Sequence, residues 1–214
     1  MTLPFYYLAG AVFIHREMHR DHGLTPQINR QRKLLMLATD NTVLLIIDVQ
    51  SKLAHLMHDK EILFKSISKS IKGAQVLGIP IILTEQYPEG LGPTIPEVAS
   101  LLQNSNAISK ISFSCCGDDR FMRVLNDLHP ENILVAGIET HVCVYQTVRD
   151  LVKADFAVQI IADAVSSRTK ENKRIGLKKS RTAGADSTSV ETVLFELLRV
   201  AGGEKFKKIL KIVK

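Results

Sequence analysis

The sequence predicts an α/β domain, a three-layer αβα sandwich on a mainly parallel, Rossmann-like sheet, and three observations predict it. Short apolar runs recur at 43–47, 79–83, 107–111, 132–136 and 156–161. The segments between them carry apolar residues three or four positions apart, as Ile62, Ile67, Ile71, Ala74 and Leu77 do, and again Phe121, Val124, Leu125 and Leu128. Strand-length runs alternating with helical periodicity imply parallel strands joined by helices, and right-handed crossovers place those helices on both faces. Finally, Gly78-Ile79-Pro80 and His129-Pro130 stand ahead of the second and fourth runs. Proline disfavours helical geometry in the residue before it, so each pair marks a helix end and a strand start.

In chain order, residues 1–39 read as an N-terminal extension and residues 40–214 as the domain itself. The apolar stretch Leu3 to Ile14 is shorter than the roughly 20 residues a membrane span needs, has no basic lead-in and runs into His15-Arg-Glu-Met-His-Arg-Asp-His. It therefore fits neither an anchor nor a secretory signal. His15, His19 and His22 can share one helix face, but no cysteine or carboxylate partner closes a metal site around them. The first core strand, Thr42-Val-Leu-Leu-Ile-Ile-Asp48, ends in an acid at the carboxyl edge where parallel sheets bind ligands. A helix-capping Asp is the alternative. The third strand, Ala107-Ile-Ser-Lys110, ends in a cation that read alone is a solvated surface residue.

Residues 131–143, Glu-Asn-Ile-Leu-Val-Ala-Gly-Ile-Glu-Thr-His-Val-Cys, read as a buried strand that breaks at Gly137 and delivers Cys143 to the start of a helix. A thiol there feels roughly half a positive charge of helix dipole, which favours thiolate. The other reading is a buried small hydrophobe. Taken together, Asp48, Lys110 and Cys143 supply a proton acceptor, a cation to hold it ionised and a nucleophile, each at a strand end, which points to one shared site.

At 214 residues and 45% hydrophobic, the chain suffices for one sizeable core. Its three cysteines, Cys115 and Cys116 adjacent and Cys143 apart, form neither a disulfide framework nor a Cys-x-x-Cys zinc site, so a reducing cytoplasm is expected. Neighbouring Cβ vectors point apart, so Cys115 and Cys116 are poor bridge partners. The net charge of +6 is concentrated in 168–181 and 203–214. Lys170, Arg174 and Lys178, with Lys173 and Arg181, are spaced as a helix face, while Phe206, Ile209, Leu210 and Val213 alternate with lysines as in a docked amphipathic helix. No aromatic-rich stacking motif accompanies them, so these are read as solvated faces rather than a nucleic-acid surface, and neither membrane nor nucleic acid is expected as a partner. A non-catalytic assembly or nucleic-acid-contacting protein on the same fold is the competing functional reading.

The Ile46-Ile-Asp48-Val-Gln50 opening, Lys110 with Phe113-Ser114, the Gly137-Ile-Glu-Thr140-His-Val-Cys143-Val signature and the closing Thr182-Ala-Gly-Ala-Asp-Ser-Thr-Ser resemble the isochorismatase-like cysteine hydrolases, which include nicotinamidases and N-carbamoylsarcosine amidohydrolases. The resemblance spans about residues 40 to 200, closest to the branch with Thr84-Glu-Gln-Tyr-Pro88, whose members mostly lack an assigned substrate. It implies a sixth short strand near Asp186 to Thr188, before a helix at Val190 to Arg199. It also implies catalysis by Asp48, Lys110 and Cys143 through a covalent thioester, and an oxyanion hole from the backbone amides of Glu139 and Cys143. A cis peptide between Ile138 and Glu139, pocket roles for Gln86, Tyr87, Phe113 and Thr140, and a homo-oligomer are implied as well. Nicotinamidases carry an Asp-x-His metal cluster after the second strand, where this chain reads Thr84-Glu-Gln-Tyr-Pro-Glu-Gly, so no metal or other cofactor is expected. The true isochorismatase branch lacks the cysteine, so Cys143 directs the expectation toward a small amide, carbamoyl or related carbonyl substrate.

Overall fold

The computed structural model describes residues 37–103 and 106–214; the predicted extension, up to residue 36 and including its three histidines, lies outside the described residues. The elements run β1 (Thr42–Ile47), α1 (Ser51–His55), α2 (Lys60–Leu77), β2 (Ile81–Gln86), α3 (Pro88–Leu91), α4 (Pro96–Ala99) and β3 (Ile108–Lys110). They continue with α5 (Asp119–Asp127), β4 (Asn132–Ile138), α6 (Tyr145–Lys153), β5 (Ala157–Ser166), α7 (Lys170–Ala183), β6 (Asp186–Thr188), α8 (Val190–Leu198) and α9 (Gly203–Val213). The six strands form one sheet in the order β3-β2-β1-β4-β5-β6, every pairing parallel. This is the doubly wound order, in which the chain leaves β1 in one direction and returns beside it as β4, opening a crevice beyond their carboxyl ends.

Alternate residues of β1 feed two cores, as a strand's two-residue period requires. Leu44 and Ile46 join Ile67, Ile71, Leu194 and Ile209 beneath α2, α8 and α9. Val43, Leu45 and Ile47 join Phe121, Leu125, Val148 and Leu151 beneath α5 and α6. Every residue of β1 and β4 is buried, as expected for central strands covered on both faces. The docked C-terminal helix is present, with Ile209 fully buried.

Several expected boundaries move for identifiable reasons. The inward stripe of α2 is Leu63, Ile67, Ile71, Ala74 and Leu77, and Ile62 lies outside it at 58% exposure. Leu128 is likewise exposed beyond the end of α5. Gly78, at φ 81°, ends α2 in the left-handed conformation, and Ile79 donates back to the Ala74 carbonyl, so Ile79 closes the helix instead of opening the strand. β2 therefore begins at Ile81 and runs on through Thr84 and Gln86, polar residues whose partners are buried beside them. β5 continues to Ser166 because an irregularity opposite Val135 and Gly137 absorbs extra residues.

Candidate active site

Register places the ends of three strands at one level: Ile47 lies beside Thr84 of β2 on one side and Gly137 of β4 on the other. Gly137 sits at φ 121°, and a Cβ there would lie 2.1 Å from the Ile47 carbonyl oxygen, so only glycine lets the strands approach at this point. Asp48 follows Ile47 in the left-handed region at φ 53° and is 2% exposed. Lys110 ends β3, two strands from β1, and only a long side chain crosses the end of β2 to reach Asp48. Its Nζ donates to Asp48 Oδ2 at 2.7 Å and to Gln86 Oε1 at 2.8 Å, with the Ser112 and Phe113 carbonyls at 3.2 and 3.3 Å. Both charges of this pair are withdrawn from water, and hydrogen bonds from every side offset the desolvation that such a pair suffers.

The remaining Asp48 oxygen, Oδ1, accepts from Thr84 Oγ1 at 2.8 Å. Gln86 is held in turn: its backbone N–H donates to Gln50 Oε1 at 2.7 Å, and its side-chain amide donates to the Ile111 carbonyl at 2.6 Å. Gln50 Nε2 donates to the Gln86 and Gly92 carbonyls. A buried polar lattice thus fixes the carboxylate and the ammonium before any ligand arrives.

Cys143 lies in a π-helical turn, Thr140–Val144, between β4 and α6, and is 7% exposed. It lies close enough to the Asp48 carboxylate and the Lys110 ammonium for both charges to act on its thiol. Burial raises its pKa most, Asp48 raises it further, and Lys110 opposes them with a smaller effect. This corrects the expectation that the helix start favours a resting thiolate: burial and the neighbouring carboxylate hold Cys143 as a thiol. Cys115 lies close by, fully buried, with Sγ 3.8 Å from Thr84 Oγ1; burial pushes its thiol up to about 12. Cys116 is pushed up to about 11, again by burial.

The Ile138–Glu139 peptide is cis. The Glu139 carbonyl accepts from the backbone amides of Val142 and Val144 on either side of Cys143. Its carboxylate accepts from the Arg168 backbone N–H and Nε at 3.0 and 3.2 Å.

Of the residues expected to shape the pocket, Gln86 is buried and its side chain serves Lys110 and Ile111, and Thr140 is fully buried with no partner for its hydroxyl among the described residues. Tyr87 and Phe113 are about half exposed and stand at the ends of β2 and β3, where the Tyr87 N–H donates to the Lys110 carbonyl. Sequence reasoning assigned no role to Thr84, Gln50, Arg168 or Gly176. The first two lie in motifs already noticed, and the signal for them was polar residues at inward positions of strand ends. Gly176 of α7 presses on the Cys143 turn, where an added Cβ would lie 2.5 Å from the Thr140 carbonyl. No group of three or more metal-binding side chains occurs among the described residues, nor any helix long and apolar enough to cross a membrane.

A doubly wound domain that presents a buried carboxylate, ammonium and thiol at its switch point matches known proteins closely. The isochorismatase domain model matches residues 42–192, and the chain belongs to the isochorismatase family, a family of hydrolases. It is 32% identical over 187 residues to the secreted isochorismatase effector Isc1 of Phytophthora sojae, covering 86% of this chain and 89% of that one. Among solved structures it is similar to the MAR1 ribonuclease of Caenorhabditis elegans, at 33% identity and TM-score 0.78, over 83% of this chain and 91% of that one. The fold is shared with the YcaC gene product of Escherichia coli, an octameric hydrolase of unknown specificity, at 19% identity and TM-score 0.78, over 83% and 89% of the two chains.

Proposed function

We propose that this protein is a cysteine-dependent hydrolase of small amide, carbamoyl or related carbonyl compounds, acting through a covalent thioester. The convergence of Cys143, Asp48 and Lys110 carries the reading. As Sγ attacks the carbonyl carbon, the thiol proton passes to Asp48, and the new oxyanion is received by the backbone amides of Glu139 and Cys143. Collapse breaks the carbon–nitrogen bond, and Asp48 gives the proton to the departing amine. Water, deprotonated by Asp48, then attacks the thioester, and the proton returns to the sulfur as the acid leaves. Lys110 keeps Asp48 anionic between these transfers. Tyr87 and Phe113, exposed at neighbouring strand ends, are the side chains available to a substrate's apolar part, and no cofactor is required.

The name of the C. elegans relative raises phosphodiester cleavage as a competing activity. Lys110 argues for the carbonyl reading, since its side chain is fully buried and spent on four protein acceptors, so this cation is not free to neutralise a phosphate. A homo-oligomer, by likeness to the octameric relative, and a reducing cytoplasm, from three free cysteines, complete the proposal. The decisive test is a screen of small primary amides and carbamoyl compounds with wild type and Cys143→Ala side by side. Release of ammonia or amine by wild type alone is expected, and turnover that survives the substitution rules out the covalent route.

A further inference from the structure

Beyond the turn that carries Cys143, α6 and α7 lie side by side and form an open cleft of about 550 Å3, lined by Tyr145 and Arg149 of α6 and by Lys178, Lys179, Thr182 and Ala183 of α7. Tyr145 and Arg149 are one helical turn apart, as are Lys178 and Thr182, so each helix contributes one face. Lys179 Nζ sits 4.8 Å above the centre of the Tyr145 ring, and the Arg149 guanidinium lies 6.0 Å from the same centre. The ring gathers cations from both helices to one point.

Some helix cations of this chain are neutralised within their own helix: Arg174 is bound by Glu171 and Lys207 by Glu204. Lys178 and Lys179 have no carboxylate partner among the described residues, and one acid, Asp150, pairs with Arg149 at the rim. With Arg149 matched by Asp150, Lys178 and Lys179 are the cations on this concave surface left without a carboxylate partner among the described residues, and their positive field is the complement of a compact polyanion.

We infer that the α6–α7 cleft is a binding site for a small soluble ligand bearing clustered phosphates, such as a di- or triphosphate ester. Lys178 and Lys179 supply mobile point charges, and Arg149, whose Nε and Nη2 already face Asp150, supplies its remaining terminal N–H donors; the Thr182 hydroxyl gives its proton to the Lys178 carbonyl and adds no donor. A nucleic-acid strand is a poorer fit. Strand binding needs a track of several nucleotides and open aromatic faces for the bases, whereas the cleft offers one tyrosine with a lysine already over its ring. None of the lining side chains belongs to the proposed hydrolytic group Asp48, Lys110 and Cys143, so the site stands or falls apart from the proposed hydrolysis.

The probe is inorganic tripolyphosphate, titrated calorimetrically into the full-length protein at about 50 and about 200 mM salt. Saturable binding is expected, weakening with salt and reduced about tenfold or more in K178E/K179E, whose side chains are exposed and leave the fold intact by circular dichroism. Arg149→Ala gives a second, smaller loss, and Cys143→Ala gives none. Absence of binding at millimolar tripolyphosphate overturns the proposal, as does equal binding by wild type and K178E/K179E. Tighter binding of a twelve-nucleotide oligouridylate than of tripolyphosphate overturns it too, making a nucleic-acid strand the occupant.

Discussion

Thr84 contributes one hydroxyl to the site, and its hydrogen bond to Asp48 helps fix how that carboxylate is turned. With Oδ1 tied to Thr84 and Oδ2 to Lys110, the carboxylate cannot rotate about its own axis, and its orientation toward the thiol is set in advance. Thr84→Val keeps the shape and removes the donor. Hydrogen bonds to charged groups contribute about 1.5–3 kcal/mol, so kcat is expected to fall roughly 10- to 100-fold with KM little changed, read from steady-state kinetics on the best substrate of the amide screen. Lys110→Met is more severe, because it strands a buried carboxylate. Urea unfolding should show a loss of about 3–5 kcal/mol, partly recovered when Asp48→Asn is added. The thiol makes a separate prediction. Because burial and Asp48 raise its pKa, alkylation of Cys143 by iodoacetamide is expected to keep accelerating above pH 9. A plateau near neutral pH, measured by mass spectrometry of the labelled peptide, would show a resting thiolate and contradict the assigned geometry.

At the scale of elements, the turn carrying Cys143 is shaped by α7, which packs against it through a position where no side chain fits. Gly176 is in backbone contact with Thr140, three residues from the sulfur. Gly176→Ala must push the helix away or deform the turn, and overpacking of this kind costs about 1–3 kcal/mol. A lowered unfolding midpoint, together with a drop in turnover exceeding that of a control Ala at an exposed position of α7, is the expected pair of results. The same contact explains why parts of the site were legible in the sequence and others were not. Asp48 and Lys110 each close an apolar run and Cys143 follows the end of β4 by five residues, so strand boundaries bring the three to one edge of the sheet, and strands alternating with helices give the α/β class. Gly176 lies in a helical stretch with no break in its pattern, and nothing local reports that Thr140 is behind it. The hold of Gln86 on Lys110 was invisible for a related reason: the two are 24 residues apart in the chain. The thiol's protonation was misjudged because a helix end is visible in sequence while burial is not.

For the molecule as a whole, the three buried or half-buried thiols couple stability to alkaline pH. Each titrates near 9.0 when freely exposed, as in the unfolded chain, whereas in the fold Cys116 is pushed up to about 11 and Cys115 to about 12 by burial. A folded-state pKa above the unfolded one means that the native protein retains protons the unfolded chain gives up. The contribution to stability is therefore whole below pH 9.0 and is lost as pH climbs through the window toward 11 and 12. The steepest contribution from fully buried Cys115 approaches about 1.4 kcal/mol per pH unit, since that is the free energy equivalent of one unit of pKa. Urea unfolding followed from pH 7 to 11 should show a nearly level free energy up to about pH 9 and a decline beyond it. In Cys115→Ala, less stable at neutral pH because a packed sulfur is gone, the alkaline decline should be shallower. An unchanged slope in that variant would mean that Cys115 does not stay protonated inside the fold, and the dry, closed packing behind the Asp48–Lys110 pair would have to be redrawn.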